Sequence, residues 1–122
     1  MPKILIADDE EPIRRVLRIM CKGQGHQVDM AENGLEAMEM FKQHPYDLLI
    51  TDLKMMPVSG VELVKFVRSA YPQTKIIILT AWSITASEIQ AHKLGIEHYF
   101  AKPFNRAQIL QAINELLHPP PS

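Results

Sequence analysis

Apolar residues along this chain fall into two kinds of stretch, short unbroken runs and longer segments with a helical period, and the two alternate five times. Lys3 to Ala7, with Ile4, Leu5 and Ile6 at its centre, has the continuous apolarity of a strand covered on both faces. Pro12 then fits a first helical turn, and Ile13, Val16, Leu17, Met20 and Cys21 make one stripe that Gly23 and Gly25 end. A short strand follows at Gln27 to Met30, then Asn33-Gly34 as a turn, then a helix through Leu35, Met38 and Phe41 up to Pro45. Leu48 to Thr51 is a third buried strand, and Pro57, Ser59 and Gly60 lead into a helix that carries Leu63, Val64, Val67 and Tyr71 on one face. Lys75 to Leu79, with three consecutive isoleucines, is the clearest strand, and Ile84 to Leu94 forms a more polar helix that Gly95 ends. Glu97 to Phe100 is the last strand, and Ile109, Leu110, Ile113, Leu116 and Leu117 give the final helix its stripe before the prolines.

Strands joined by crossover helices must run parallel and cross over right-handedly. The order therefore predicts an α/β domain, a doubly wound (βα)5 flavodoxin-like fold with sheet order 2-1-3-4-5. Residues 1–118 are expected to form this domain, and 119–122 a proline-rich tail or the start of a stiff linker.

Composition narrows the function classes. The 122 residues suffice for one core, and 47% hydrophobic content is that of a globular chain. A net charge of −1, without a basic run, gives no general attraction for nucleic acid. The single cysteine forms no disulfide framework, and Cys21 is expected to be core filler. No leader pattern opens the chain and no apolar run approaches the roughly 20 residues that span a bilayer. The expectation is a soluble protein of a reducing, cytoplasmic compartment.

The predicted topology carries chemistry with it. Asp8, Asp9, Asp52, Thr80 and Lys102 all stand just beyond the carboxyl ends of strands, which gathers them on the sheet edge where such folds bind ligands. Three carboxylates in one place repel one another and need positive charge. A hard divalent cation such as Mg²⁺ suits this oxygen-rich set, completed by a backbone carbonyl. Lys102 adds an ammonium fit for a phosphoryl oxygen, and Thr80 adds a hydroxyl. Metal, ammonium and hydroxyl around a carboxylate are what phosphoryl transfer requires, with Asp52 as nucleophile.

Asp8-Asp9 after the first strand, Asp52 in TDLKMMPVSG, Thr80-Ala81, Tyr99 and Lys102-Pro103-Phe104 together resemble the response-regulator receiver domain of bacterial two-component systems. The resemblance spans essentially the whole chain. It implies phosphotransfer to Asp52 from a sensor histidine kinase or phosphotransfer protein. Mg²⁺ would be held by Asp9 and Asp52, by Asp8 largely through water, and by the backbone carbonyl of Lys54. Lys102 would contact the phosphoryl group, while Thr80 moves to bond it and Tyr99 turns inward. That rearrangement would remodel the surface of the fourth helix, fifth strand and last helix, where output and a homodimer are expected. The family usually has proline four residues after the phosphoacceptor; here Met56 stands there and Pro57 follows, with Gly60 in its usual place.

Each residue has a plainer reading. Asp8 to Glu11 is also an acidic helix start, Asp52 a turn cap, Lys102-Pro103 a turn, Tyr99 an edge-strand aromatic and Trp82 a loop residue. Their common placement on one edge separates the readings. Trp82 and Lys54 are expected to flank the phosphoryl group and govern water access. Met38, Met40, Met55 and Met56 are read mostly as core filler or loop, with Met55 and Met56 beside the site also placed to shape a partner contact. His26, His44, His92, His98 and His118 lack metal-ligand spacing and are expected at the surface. An aspartyl-phosphate phosphohydrolase is the main rival, but its second acid would stand two residues after the nucleophile, where Lys54 is. A flavodoxin-like cofactor binder would cradle phosphate after the first strand, where the acids of DDEE repel it.

Overall fold

The buried apolar runs pair side by side because each leaves its backbone groups to be satisfied by a neighbour. In the computed structural model, which describes residues 2–81 and 95–118, they form β1 (Lys3–Ala7), β2 (Gln27–Ala31), β3 (Leu48–Thr51), β4 (Lys75–Thr80) and β5 (His98–Ala101). All pairs are parallel, in the order β2-β1-β3-β4-β5. The connecting helices are α1 (Glu11–Gly23), α2 (Gly34–Gln43) and α3 (Gly60–Ala70), and the final helix is Arg106–Leu117. The helix expected over 84–94 and the tail 119–122 lie outside the described residues.

Side-chain alternation along the strands divides the core in two. Ile4, Ile6, Leu48, Ile50, Ile77 and Leu79 face Leu17 and Cys21 of α1 and Ile109 and Ile113 of the final helix. Leu5, Leu49, Ile76 and Ile78 face Phe41 of α2 and Leu63, Val64 and Val67 of α3. The sheet is thus covered on both sides, as a doubly wound fold requires. Each fully buried aliphatic side chain contributes about 1.5–3 kcal/mol. Among the described residues, no helix is long and apolar enough to cross a membrane.

The structure corrects several local expectations. Asn33-Gly34 is a helix start: the Asn33 side chain accepts from the Glu36 N–H, and Gly34 is the first residue of α2. The buried face of α2 is Gly34, Ala37 and Phe41, so Leu35 lies outside it, 46% exposed. β5 begins one residue later than predicted, and Tyr71 lies just past α3. His26 is buried, with its ring stacked on His118 at 5.6 Å between centroids. The methionines beside the site fall as expected, Met55 as filler of the α2–α3 core and Met56 in the loop, 82% exposed.

Candidate functional site

Three strands, β1, β3 and β5, hand the residue that follows them to the site through one further ladder bond. The peptide N–H of Asp8 donates to Ala31 at 3.2 Å, that of Asp52 to Ala7 at 3.0 Å, and that of Lys102 to Thr80 at 2.9 Å. The residue after the strand is therefore still held by its neighbour's backbone, although its side chain has left the sheet. Asp8, Asp52 and Lys102 are positioned by the rigid part of the fold.

Their side chains meet. Lys102 Nζ lies 2.9 Å from Asp8 Oδ2, 3.0 Å from Asp52 Oδ2 and 3.7 Å from Glu10 Oε1. Asp52 Oδ1 accepts from the peptide N–H groups of Leu53 at 2.7 Å and Lys54 at 3.3 Å, so both its oxygens are oriented. Asp8 Oδ1 accepts from the Glu10 N–H at 2.9 Å. Carboxylate oxygens of Asp8, Asp9 and Glu10 lie within 4.8 Å of one another. Asp8 and Asp52 are buried, while Asp9 and Glu10 reach into solvent.

Charge is poorly balanced in this group. Burial pushes the Asp8 carboxyl up from its ordinary range, and Asp52 adds to this, while Lys102 pulls it back only in part. Burial works against the Lys102 ammonium, but its hydrogen bonds to Asp8 and Asp52 outweigh that and hold its pKa above the ordinary lysine value. One ammonium serves several acids. A set of hard oxygen donors, partly exposed and short of positive charge, is chemically suited to a divalent cation.

The acids open into a cleft of about 310 Å³ whose lining includes Asp9, Glu10, Asp52, Lys54, Met56 and Thr80. A larger cavity of about 500 Å³, lined by Lys3, His26, Asp29 and Tyr46 among others, sits at the opposite ends of the strands. It lacks the clustered acids, so the smaller cleft is the site on chemical grounds. Thr80 is fully buried at the end of β4. Tyr99 in β5 packs against the core on the α2–α3 side, and its hydroxyl is buried without a hydrogen-bond partner among the described residues. Lys54 is exposed at the cleft, whereas Trp82 lies outside the described residues.

Two neighbours escaped the sequence reading. Glu10 joins the acidic group and approaches Lys102, for which the DDEE run was the available signal. Arg14 Nη1 donates to the Asp8 carbonyl oxygen at 2.7 Å, and Nη2 lies 3.6 Å from Glu32 Oε1, tying the loop after β1 to the loop after β2. On a helical wheel Arg14 is an ordinary polar-face cation, and nothing in its spacing shows that it folds back.

Residues 4–114 match the response regulator receiver domain family. The chain is 36% identical to the transcriptional regulatory protein ResD of Bacillus subtilis over 94% of its own length and 48% of that protein. It is 32% identical to the response regulator protein PilR of Pseudomonas aeruginosa, over 91% of this chain and 25% of PilR. It thus spans about half of one relative and a quarter of the other. A CheY-like receiver domain protein from Methanospirillum hungatei superposes with a TM-score of 0.90 at 25% identity, covering 96% of this chain and 94% of that one. TrrA of Thermotoga maritima, crystallised with Mg²⁺-BeF, superposes with a TM-score of 0.84 at 35% identity, covering 95% and 99%. Sequence, topology and the strand-end acids converge, and the chain belongs to the response regulator receiver domain family.

Proposed function

We propose that Asp52 is the phosphoacceptor of a two-component signalling switch. The observation that carries this is the Lys102 ammonium placed between Asp8 and Asp52, at 2.9 and 3.0 Å, where Asp52 lines an acidic cleft. Lys102 thus sets a cation within hydrogen-bond reach of the Asp52 carboxylate to which a phosphoryl group would be joined. Asp8, Asp9 and Asp52, with the backbone carbonyl of Lys54, would hold Mg²⁺, and Glu10 stands within reach of the same group. TrrA, whose fold this chain shares, was crystallised with Mg²⁺ and a beryllium fluoride. Bound there, the cation offsets the carboxylates and the negative charge of the transferring phosphoryl group.

The chain's own residues set up the transfer. Leu53 and Lys54 N–H groups fix the Asp52 carboxylate, so that one of its oxygens can attack phosphorus as the bond from phosphorus to the donor's histidine nitrogen breaks. The products are an acyl phosphate and a free imidazole on the donor, a sensor histidine kinase or phosphotransfer protein. Lys102 passes from Asp52 to a phosphoryl oxygen, and the Thr80 hydroxyl bonds another. Phosphorylation adds about −1.5 to −2 charges, which favours the arrangement in which Thr80 and Lys102 both meet the phosphoryl oxygens, with Tyr99 turning inward. The signal leaves by the surface of β5, the final helix and the helix expected over 84–94. Its receiver is an attached effector domain beyond residues 1–118, a partner, or a second copy of the chain.

The domain accepts and releases a phosphoryl group on itself and turns over no external substrate. Incubation with acetyl phosphate and Mg²⁺ is expected to label the wild type once and Asp52→Asn not at all. Turnover of a small phosphate ester dependent on Asp52 would replace this reading with the phosphohydrolase.

A further inference from the structure

The first N–H groups of any helix lack partners within it and must find them elsewhere. In α2 those of Gly34 and Leu35 donate to the carbonyl oxygens of Val58, at 3.1 Å, and Pro57, at 3.2 Å. Both acceptors lie in the loop from β3 to α3, the loop that carries Lys54. The approach is close because Gly34 has no side chain: a Cβ there would stand 2.2 Å from the Val58 carbonyl oxygen and 2.9 Å from its Cγ1. Val58 has φ of 62°, in the left-handed region that a β-branched residue strongly disfavours. Such a conformation persists when its surroundings over-determine it. Here the start of α2 supplies those surroundings.

The base of the same loop is pinned independently. Gly60 N–H donates to the Leu53 carbonyl at 2.9 Å, and a Cβ on Gly60 would lie 1.8 Å from the Asp52 carbonyl oxygen. Between the two pins, Leu53 and Lys54 N–H groups grip the Asp52 carboxylate. The loop is held at its base by α3 and at its far side by α2, with Lys54 between.

We propose that Gly34 and Val58 form an anchor that sets where the Lys54 carbonyl stands, and so how tightly the site holds a divalent cation. Both are positioning residues and touch neither the metal nor the phosphoryl group. The inference rests on the reading of Asp52 and Lys54 given above. It also gives the Asn33-Gly34 pair a reason beyond capping, since alanine would suit the helix better than glycine.

The test is calorimetric titration with Mg²⁺ of the wild type, Gly34→Ala, Gly34→Ala/Val58→Gly, and the control Gly23→Ala, whose added Cβ would meet nothing within 4 Å. Melting of each metal-free protein is followed in parallel. Gly34→Ala should bind Mg²⁺ about tenfold more weakly, the scale of a lost outer-shell support. It should also take up phosphate from acetyl phosphate more slowly, while the metal-free protein still unfolds in a single cooperative transition. The double variant should regain most of the affinity, because glycine at position 58 can yield to the new methyl. The control should match the wild type. Wild-type affinity in Gly34→Ala overturns the anchor alone, as does a double variant no better than the single or one that no longer folds. Absence of Mg²⁺ binding in the wild type overturns the site reading and this inference with it.

Discussion

Lys102 holds together side chains that would otherwise repel, and its side chain is only 8% exposed. Lys102→Met should therefore cost the metal-free protein about 3 kcal/mol or more at neutral pH, the scale of a buried charge group that loses one partner, as read by urea denaturation. Asp8 behaves in the opposite way. Its carboxyl is raised above the ordinary value of 3.8 chiefly by burial, so the charged form weakens the fold at any pH above its folded pKa. That cost is relieved as pH falls from the folded pKa toward 3.8. Asp8→Asn, a neutral isostere, should stabilise the metal-free protein by about 1 kcal/mol and flatten this acid-side change, as activity-linked strain often allows. It should also weaken Mg²⁺ binding, so thermal melts with and without the cation should move in opposite directions. Asp8, Asp9, Asp52, Thr80 and Lys102 stood out as candidates because each lies at or just past the end of an apolar run. Arg14 and the stacked His26 did not, since a solvated cation or histidine has the same spacing as one folded back or buried.

At the level of elements, α2 shows what pattern reading sees and what it misses. The large apolar residues Leu35, Met38 and Phe41 marked the helix, but its buried face is Gly34, Ala37 and Phe41. Small residues carry little hydrophobic signal, yet they let a helix approach a loop closely, and the close approach here is to Val58. Phe41 is the shared anchor of both readings, 1% exposed and ringed by Tyr46 and Tyr71 at centroid distances of 5.1 and 5.2 Å. Phe41→Ala should cost about 3–5 kcal/mol, read from urea midpoints, by losing burial and leaving a cavity. Ser59 caps α3 by accepting from the Glu62 N–H at 3.2 Å. Ser59→Ala should cost about 1 kcal/mol, and a loss no larger than a few tenths would show that the loop geometry holds α3 without the cap. The central strands β1, β3 and β4 were read almost to the residue, because burial on two faces leaves few polar positions to confuse their limits.

The whole molecule joins these scales through the sheet. Parallel pairing in the order β2-β1-β3-β4-β5 brings the ends of β1, β3, β4 and β5 to one edge, so residues 50 apart in sequence, Lys102 and Asp52, meet at 3.0 Å. The order followed from alternating elements and right-handed crossovers, whereas the charge balance within the cleft depends on side-chain distances that no sequence pattern fixes. A cation that binds only the folded state stabilises it by about 2.7 kcal/mol at a hundred times its dissociation constant, so the melting temperature should climb with Mg²⁺ and stay flat in Asp52→Asn/Asp9→Asn. The central claim is that one carboxylate on this edge is transiently esterified with phosphate while the others hold a cation. The most direct measurement is borohydride trapping of the protein after acetyl phosphate treatment, with peptide mapping of the reduced residue. The account predicts reduction of Asp52 to homoserine in the presence of Mg²⁺ and none when the cation is chelated. Reduction at Asp8 or Asp9, or none at residue 52 with donor and Mg²⁺ both supplied, would contradict it.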